Sequence, residues 1–251
     1  MKKHKEFSYK YPHPAVTVDC VIFGFDGKSL KILLIERGLE PFKGSWALPG
    51  GFVHIDETVE EAAIRELFEE TNVKGVYMSQ LSVFSQVDRD PRERVITVAF
   101  YALVKPSDHE VIGGDDAANA QWFGLNDYPS LVFDHEQIVT AAFSQLQRNF
   151  RAGNVGLEMF EDKFSISQLY TLHSLVTRQE IDRRNFYKKV ASYEYIEPTQ
   201  EKMRETPHKP SQLFSVDRTT YDSKVMESFN LYRYDLEEKA KVPKSKPSKK
   251  K

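Results

Sequence analysis

The sequence contains a single cysteine and no long hydrophobic run, and both absences narrow the class of protein. Cys20 alone among 251 residues excludes an internal disulfide and any metal site built from several cysteines. No apolar run approaches the ~18 residues that a membrane-spanning helix needs. The charged start, residues 1–6, leads into Phe7-Ser-Tyr-Lys-Tyr11 and not into an apolar signal core. These features predict a protein of the reducing cytoplasm without a membrane partner.

Charge is distributed unevenly along the chain. Residues 1–150 carry 15 Lys and Arg against 22 Asp and Glu, a net charge of −7. Residues 151–251 carry 20 against 15, a net charge of +5. An acidic first part joined to a basic second part predicts two domains with different partners. Residues 236–251, rich in Lys, Pro and Ser, are expected to form a disordered basic tail.

Three glutamates share one face of a predicted helix. Residues 58–71 show helical apolar spacing, and no proline or glycine interrupts them. Glu66, Glu69 and Glu70 stand at i, i+3 and i+4, so their side chains are neighbours that repel one another. A divalent cation with a preference for hard oxygen ligands, Mg²⁺ or Mn²⁺, would relieve this repulsion. The alternative is a solvated acidic helix in which Arg65 neutralises its neighbours.

The spacing around this helix resembles the Nudix box, G-x5-E-x7-R-E-U-x-E-E-x-G-U, in which U is aliphatic. Its fixed positions and lead-in are filled by Gly51, Glu57, Arg65, Glu66, Glu69 and Glu70, after Leu48-Pro49-Gly50-Gly51. The last glycine of the box is replaced by Asn72, the next-best residue for the left-handed backbone at a helix end. The resemblance implies a Nudix α/β/α sandwich with a mixed sheet.

The resemblance also implies roles for the box residues. Glu66, Glu69 and Glu70 would bind the metal, and Glu69 and Glu70 would be catalytic in an active enzyme that cleaves a diphosphate linkage. Gly51, Glu57 and Arg65 would be structural, with the ion pair bracing the loop against the helix. A Nudix site also needs ligand contacts outside the box, and the candidates for lining the cleft are Arg37, Lys43, Trp46 and Arg89.

Strand patterns fill the remainder of the predicted Nudix domain, residues 11–152, which follows a tail at residues 1–10. The predicted strands are residues 15–25, 30–35, 76–86, 95–104 and 120–124, and Trp46–Val53 leads into the box helix. Asp26-Gly27 is a hairpin turn between the first two strands. A second amphipathic helix begins at Phe133-Asp134-His135, where we expect His135 to cap and pack.

Residues 153–230 have the pattern of a winged helix-turn-helix domain. Ser165 and Gln168 match a capping box at the start of a first helix. Asp182 caps a second helix, which buries Phe186 and Val190 and has a basic opposite arc. The segments 193–196 and 212–216 are predicted to pair as a hairpin with a basic loop. The predicted DNA contacts are Arg183, Arg184, Asn185, Lys188, Lys189, His208, Lys209 and Gln212.

The two parts together resemble the Nudix-related transcriptional regulators called NrtR-like. The resemblance extends from about Tyr11 to Tyr221 and rests on Ser85–Val95, Phe133-Asp134-His135, Ile181–Lys189 and Lys209-Pro-Ser-Gln-Leu-Phe214. It implies a homodimer that binds double-stranded operator DNA and senses an ADP-ribose-type nucleotide or, in a Bacteroidetes branch, a sugar such as arabinose. The chain is more similar to the sugar branch. His208-Lys209 stands where the family often has two arginines.

Three functions remain open at this point. The leading prediction is a ligand-responsive transcriptional regulator with a small-molecule effector, a pentose sugar or an ADP-ribose-like nucleotide. The rival is a Mg²⁺-dependent hydrolase that cleaves a nucleoside diphosphate derivative such as ADP-ribose and uses its C-terminal part for oligomerisation or substrate covering. An RNA-processing Nudix protein is disfavoured, because the basic helix lacks the aromatic surface on which single strands stack.

Overall fold

The computed structural model describes residues 9–114, 117–152, 156–160, 163–203, 210–226 and 232–233. Its strands are β1 (Ala15–Phe25), β2 (Leu30–Arg37), β3 (Trp46–Ala47), β4 (Gly50–Phe52), β5 (Tyr77–Phe84), β6 (Val95–Val104), β7 (Ala117–Gly124), β8 (Lys163–Ser165), β9 (Ile196–Met203), β10 (Ser211–Val216) and β11 (Tyr232–Arg233). Its α-helices are α1 (Val59–Thr71), α2 (His135–Ala152), α3 (Ile166–Thr177), α4 (Arg183–Ala191) and α5 (Arg218–Tyr221). None of these described helices is long and apolar enough to cross a membrane.

A mixed eight-stranded sheet forms the centre of the first domain. Its order is β11-β5-β6-β1-β2-β3, with β4 beside β1 and β7 beside β2. The pair β1–β6 is parallel, whereas β1 pairs with β2 and β4 in antiparallel fashion. Alternate residues of β1 face opposite sides: Cys20 and Ile22 pack with α1, and Val21 and Phe23 pack with α2. The predicted α/β/α sandwich with a mixed sheet is therefore confirmed.

Local hydrogen bonds explain both ends of α1. Thr58 Oγ1 accepts a hydrogen bond from the backbone N–H of Glu61, and the Glu61 side chain accepts one from the backbone N–H of Thr58, which is a capping box. Asn72 ends the helix in the left-handed conformation, with φ 61°, and its N–H donates to Phe68 O at 2.8 Å. Its side chain donates to Glu110 O at 3.0 Å. Asn72 thus performs the helix-ending role expected at this position, and its amide adds a contact that glycine lacks.

The second domain is a winged helix, as predicted. Helices α3 and α4 pack with a three-stranded sheet of order β8-β10-β9. The Ser165–Gln168 capping box forms, with Gln168 N donating to Ser165 Oγ at 3.1 Å. Asp182 caps α4 by accepting from Asn185 N at 2.7 Å. The helices were predictable because these signals lie within three residues of each helix start.

The predicted position of the first wing strand was wrong. Residues 193–196 were expected to form it, but β9 runs from Ile196 to Met203. The rings of Tyr193 and Tyr195 instead stack at 5.4 Å before the strand begins. Most of β9 is exposed, so its residues are polar and show no apolar alternation. The apolar pattern at residues 193–196 therefore reflects the packed segment that leads into β9, and not the strand itself.

The two domains share one hydrophobic core. Phe150 of α2 and Leu172 and Val176 of α3 belong to the same buried cluster. Gln147 Nε2 of α2 donates to Val176 O at 2.9 Å. His173 lies between the rings of Phe150 and Phe186, and burial lowers its pKa, so the imidazole packs as part of the shared core. The strand β11, just beyond the predicted domain end at residue 230, pairs with β5 of the first sheet.

Candidate ligand cleft and nucleic-acid interface

The backbone of Gly50-Gly51 runs against two of the box glutamates. Glu70 is buried and its Oε2 accepts a hydrogen bond from Gly50 N at 2.8 Å. An added Cβ at Gly51 would collide with the Glu66 carboxylate, and one at Gly50 would collide with Val18 O. Gly50 also has φ 156°, which side chains rarely adopt. Gly50 is therefore required by its close approach to the backbone of β1, and Gly51 lets the chain run directly beside the Glu66 carboxylate.

Arg65 joins the loop before α1 to the acidic face of the helix. Its Nη2 and Nε donate to Glu57 at 2.6 and 2.9 Å, and Nη2 also donates to Phe52 O at 3.0 Å. Its Nη1 donates to Glu66 at 2.7 Å and to Glu69 at 3.0 Å. The hydrogen bonds from Arg65 lower the pKa of Glu57 to about 2 despite partial burial. Arg65 therefore braces the loop and neutralises part of the acidic cluster.

The box offers the right donor type for a divalent cation but not a ready cluster. Glu66, Glu69 and Glu70 supply carboxylate oxygens, the ligands that Mg²⁺ and Mn²⁺ prefer. Burial raises the pKa of Glu66, against the effect of Arg65. Within the described ranges, no three His, Cys, Asp or Glu side chains are gathered as a metal site. The carboxylates fit the ion in kind, while in the present arrangement their charge is met by Arg65 and by Gly50 N–H.

A cavity of about 290 Å³ opens beside the box. It is lined by Ile35, Arg37, Leu39, Glu40, Gly50, Gly51, Phe52, His54, Glu66, Glu70 and Arg92. Of the four residues predicted to line the ligand cleft, Arg37 is among the residues that line this cavity. Lys43 is exposed outside the lining, and Trp46 packs edge-on against Phe123 with ring centroids 4.7 Å apart. Arg92 and His54 line the cavity but were not predicted, although Arg92 lies within a stretch that carried the family resemblance.

Arg89, the fourth predicted cleft residue, lies in a buried ion network instead. Its Nη2 and Nε donate to Asp134 at 2.7 and 3.0 Å, and its Nη2 donates to Asp19 at 3.1 Å. The side chains are 4, 6 and 9% exposed. A buried arginine needs such paired and hydrogen-bonded acids, because an unpaired charge there would be costly. Arg89 consequently joins β1 to the start of α2.

His135 completes this network and connects it to the box lead-in. Its Nδ1 accepts from Leu48 N at 2.9 Å, and its Nε2 lies 3.3 Å from Asp19 Oδ1. Burial alone would raise the pKa of Asp19, but His135 and Arg89 bring it down to about 2. The sequence signal for this cluster was Asp19, a lone acid inside an apolar strand, which must find a partner when buried.

The exposed face of α4 is basic. Arg184, Asn185, Lys188 and Lys189 are exposed, opposite buried Phe186 and Val190. Arg183 is also exposed, but its Nη2 donates to Ser167 Oγ at 2.8 Å and its guanidinium lies over Tyr170. This contact fastens α4 to α3.

The predicted wing contacts divide between described and undescribed residues. Gln212 Nε2 donates to the carbonyls of Thr199, Glu201 and Leu213, so it braces the two wing strands in this structure. His208 and Lys209 lie outside the described residues. The basic face that the structure brings together is therefore that of α4, which in a winged helix is the element that enters the major groove.

Comparison with known families agrees with this architecture. Residues 13–142, more than half of the chain, match the NUDIX domain, and residues 156–216 match the NrtR DNA-binding winged helix domain. The chain belongs to the NUDIX family. Its Nudix domain is followed by a DNA-binding winged helix of the NrtR type, as the resemblance implied.

Three relatives show how the two domains occur elsewhere. An ADP-ribose pyrophosphatase of Methanocaldococcus jannaschii is 49% identical over 55% of this chain and 79% of its own. The ADPR responsive transcriptional repressor NtrR of Acinetobacter baylyi is 28% identical over 84% of this chain and 86% of its own. Shewanella oneidensis NrtR, solved with a 27mer DNA, has a TM-score of 0.73 at 29% identity, covering 82% of this chain and 94% of its own. Its Nudix domain, solved with ADP ribose, has a TM-score of 0.51 at 34% identity, covering 54% and 90%.

The buried network makes a prediction about acid stability. The pKa of Asp19 in the folded protein is about 2, below the 3.8 usual for an aspartate, so its carboxylate stabilises the fold above about pH 4. That contribution is lost as the pH falls from about 4 to about 2. Asp19→Asn should lower the free energy of unfolding by about 3 kcal/mol at pH 7 and flatten its decline over that pH range. Urea unfolding between pH 7 and 2 measures both effects.

The control is Asp127→Asn, since Asp127 is exposed and its replacement should change the stability at neutral pH little. Equal effects of the two variants would contradict the stabilising role of the buried Asp19 carboxylate.

Proposed function

We propose that this protein is a ligand-responsive transcriptional regulator. Its Nudix domain binds an ADP-ribose-type nucleotide, and its winged helix binds double-stranded operator DNA as a homodimer. The observation that carries the proposal is the exposed basic face of α4, on a winged helix that shares its core with a cleft-bearing Nudix domain. A free-standing hydrolase has little use for such a helix.

The DNA partner is supported by the chemistry of α4. Arg and Lys side chains bind phosphates and guanine edges, and Asn pairs with adenine in the major groove. Arg184, Asn185 and Lys188 offer these groups on the exposed side of one short helix. The related S. oneidensis NrtR was solved with a 27mer DNA.

The effector is supported by the cleft and by two relatives. The cavity beside the box combines carboxylates with Arg37, His54 and Arg92, a mixture suited to a polar nucleotide and a cation. The A. baylyi relative is an ADPR responsive repressor, and the Nudix domain of S. oneidensis NrtR was solved with ADP ribose. A pentose sugar, the effector of the branch that the sequence suggested, remains the alternative ligand to test.

A continuous set of contacts joins the cleft to the winged helix. At one end of α2, His135 accepts from Leu48 N, two residues before the cleft residue Gly50. Eighteen residues of helix lead to the other end, where Phe150 packs against His173 of α3. A movement of the lead-in loop therefore acts on the same rigid helix that supports α3. This gives ligand binding a physical route by which it would bias DNA affinity.

The second candidate function is Mg²⁺-dependent hydrolysis of a diphosphate such as ADP-ribose. It is favoured by the complete set of box carboxylates and by the 49% identity to the M. jannaschii pyrophosphatase. Glu66, Glu69 and Glu70 would hold Mg²⁺ or Mn²⁺, which would activate water and polarise the diphosphate. The two functions are separable by experiment, since one requires turnover and the other a change in DNA affinity.

The DNA-binding face is tested by a double substitution. Arg184→Ala with Lys188→Ala should abolish operator binding and leave the fold intact, because each base contact contributes about 1–3 kcal/mol. Fluorescence anisotropy at fixed salt, with DNA from upstream of the protein's own operon, measures the affinity. Lys28→Ala with Lys74→Ala, both exposed on the Nudix domain, changes the net charge equally and should bind as wild type does. Unchanged affinity in the α4 variant would exclude α4 from the interface.

Dimerisation gives a second test. One winged helix reads few base pairs, so we expect a homodimer on palindromic half-sites spaced by about one or two helical turns. Analytical ultracentrifugation at micromolar concentration, with and without operator DNA, measures the stoichiometry. A monomer under both conditions, or a single protein chain per operator, would contradict the proposal.

The third test separates sensor from enzyme. For a sensor, we expect negligible turnover of ADP-ribose in Mg²⁺ and a change in DNA affinity equivalent to a coupling of about 1–3 kcal/mol. For an enzyme, we expect ADP-ribose to be hydrolysed to AMP and ribose phosphate. The double variant Glu69→Gln with Glu70→Gln should then form these products more slowly by orders of magnitude, because the metal loses ligands. Glu60→Gln, elsewhere on α1, is the matched control. Robust turnover without any ligand effect on DNA binding would decide for the hydrolase.

A further inference from the structure

The turn Asp88–Arg92 places its two arginines in different surroundings. Arg89 is buried beside Asp19 and Asp134, and these two carboxylates compensate its charge. Arg92, three residues later, lines the cleft beside the box and its side chain is 39% exposed. Only the second arginine is available to a molecule in the cleft.

Arg92 is held in one orientation by Asp90. Its Nη2 donates to Asp90 Oδ2 at 2.8 Å, its Nε to Oδ1 at 3.1 Å, and its backbone N to Oδ1 at 2.9 Å. The Asp90 side chain is 5% exposed, and although burial raises its pKa, these hydrogen bonds hold that pKa below the usual value. The guanidinium also lies over the Phe52 ring, 5.2 Å from its centroid. Two of its five N–H donors serve Asp90, which leaves three for a ligand.

The other charged groups of the cleft make this cation important. Glu66 and Glu70 on one wall repel an anionic ligand unless a metal ion lies between. Arg37, a second cation in the lining, donates through Nε to Pro41 O at 2.8 Å and lies over the Phe133 ring, so it is part of the loop structure. A guanidinium held in one orientation suits the two oxygens of a phosphate group, which it can bind through two parallel N–H groups.

We propose that Arg92 is the anion-binding residue of the cleft and that it contacts the diphosphate of the effector. This inference rests on the proposed regulatory function and names the residue that would hold the diphosphate of its effector, a group that a neutral sugar lacks. Because Arg92 and Arg89 share one turn, a ligand held by Arg92 also acts on the residue that anchors the start of α2.

Titration calorimetry on the full chain tests this role. ADP-ribose is titrated into wild type, Arg92→Gln, Arg92→Lys and the control Lys74→Gln, in EDTA and again in Mg²⁺. Arg92→Gln should weaken ADP-ribose binding about 10- to 100-fold, because charge-assisted hydrogen bonds to phosphate are lost. The affinity of Arg92→Lys for ADP-ribose should lie between those of wild type and Arg92→Gln, since lysine keeps the positive charge but not the paired N–H groups of the guanidinium. The control Lys74→Gln should match wild type both in ADP-ribose affinity and in operator affinity.

Replacing Arg92 alone leaves the buried Asp90 without its ion-pair partner, which could destabilise the fold. A double variant keeps the test valid in that case. Asp90→Asn with Arg92→Gln removes both charges together, and the asparagine oxygen still accepts from the backbone N–H. The melting temperature of this variant, measured by circular dichroism, should be close to that of wild type. Its affinity for ADP-ribose should still be reduced. A well-folded double variant with wild-type affinity would overturn the role of Arg92.

The outcomes also distinguish this inference from the proposed function. If ADP-ribose binds wild type and alters DNA affinity but Arg92→Gln behaves identically, the Arg92 assignment alone is wrong. If L-arabinose binds wild type and ADP-ribose does not, the anionic effector class is wrong and the Arg92 role fails with it. If ADP-ribose binding depends on Arg92 yet never changes operator affinity, the Arg92 role stands and the regulatory proposal fails.

Discussion

The buried pairing of Arg89 with Asp134 and Asp19 is the interaction on which the rest of the structure depends. It joins the centre of the sheet, the turn after β5 and the start of α2. Removing three charges from water is costly, and only multiple hydrogen bonds in good geometry offset that cost. His135 adds the lead-in loop through Leu48 N. The cleft wall and α2 therefore share one polar anchor, which fixes their relative position.

The shared core gives this anchor a functional consequence. Because Phe150 and Leu172 belong to one buried cluster, the winged helix packs directly against the end of α2. Packed interiors transmit displacement, since they have little free volume to absorb it. A ligand in the cleft that shifts the lead-in loop or the Asp88–Arg92 turn acts on α2, and α2 contacts the helix pair that carries the basic face.

Arg65 explains how one box can serve either a sensor or an enzyme. It pairs with Glu57 and also with Glu66 and Glu69, so two of the three proposed metal ligands are partly neutralised without an ion. The same carboxylates remain of the type that binds Mg²⁺. Intact box residues are accordingly compatible with both functions, and the decision between them lies in turnover and coupling.

By itself the sequence determined the features that depend on near neighbours: the caps at Ser165 and Asp182, the helix end at Asn72 and the spacing of the box. Such signals act over three or four residues and survive in any context that allows a helix. Only the tertiary structure decided where Arg89 goes, because its partners lie 45 and 70 residues away. It also placed the wing strand β9, whose exposed residues carry no burial pattern. Long-range pairing depends on which surfaces meet, and a linear pattern does not contain that information.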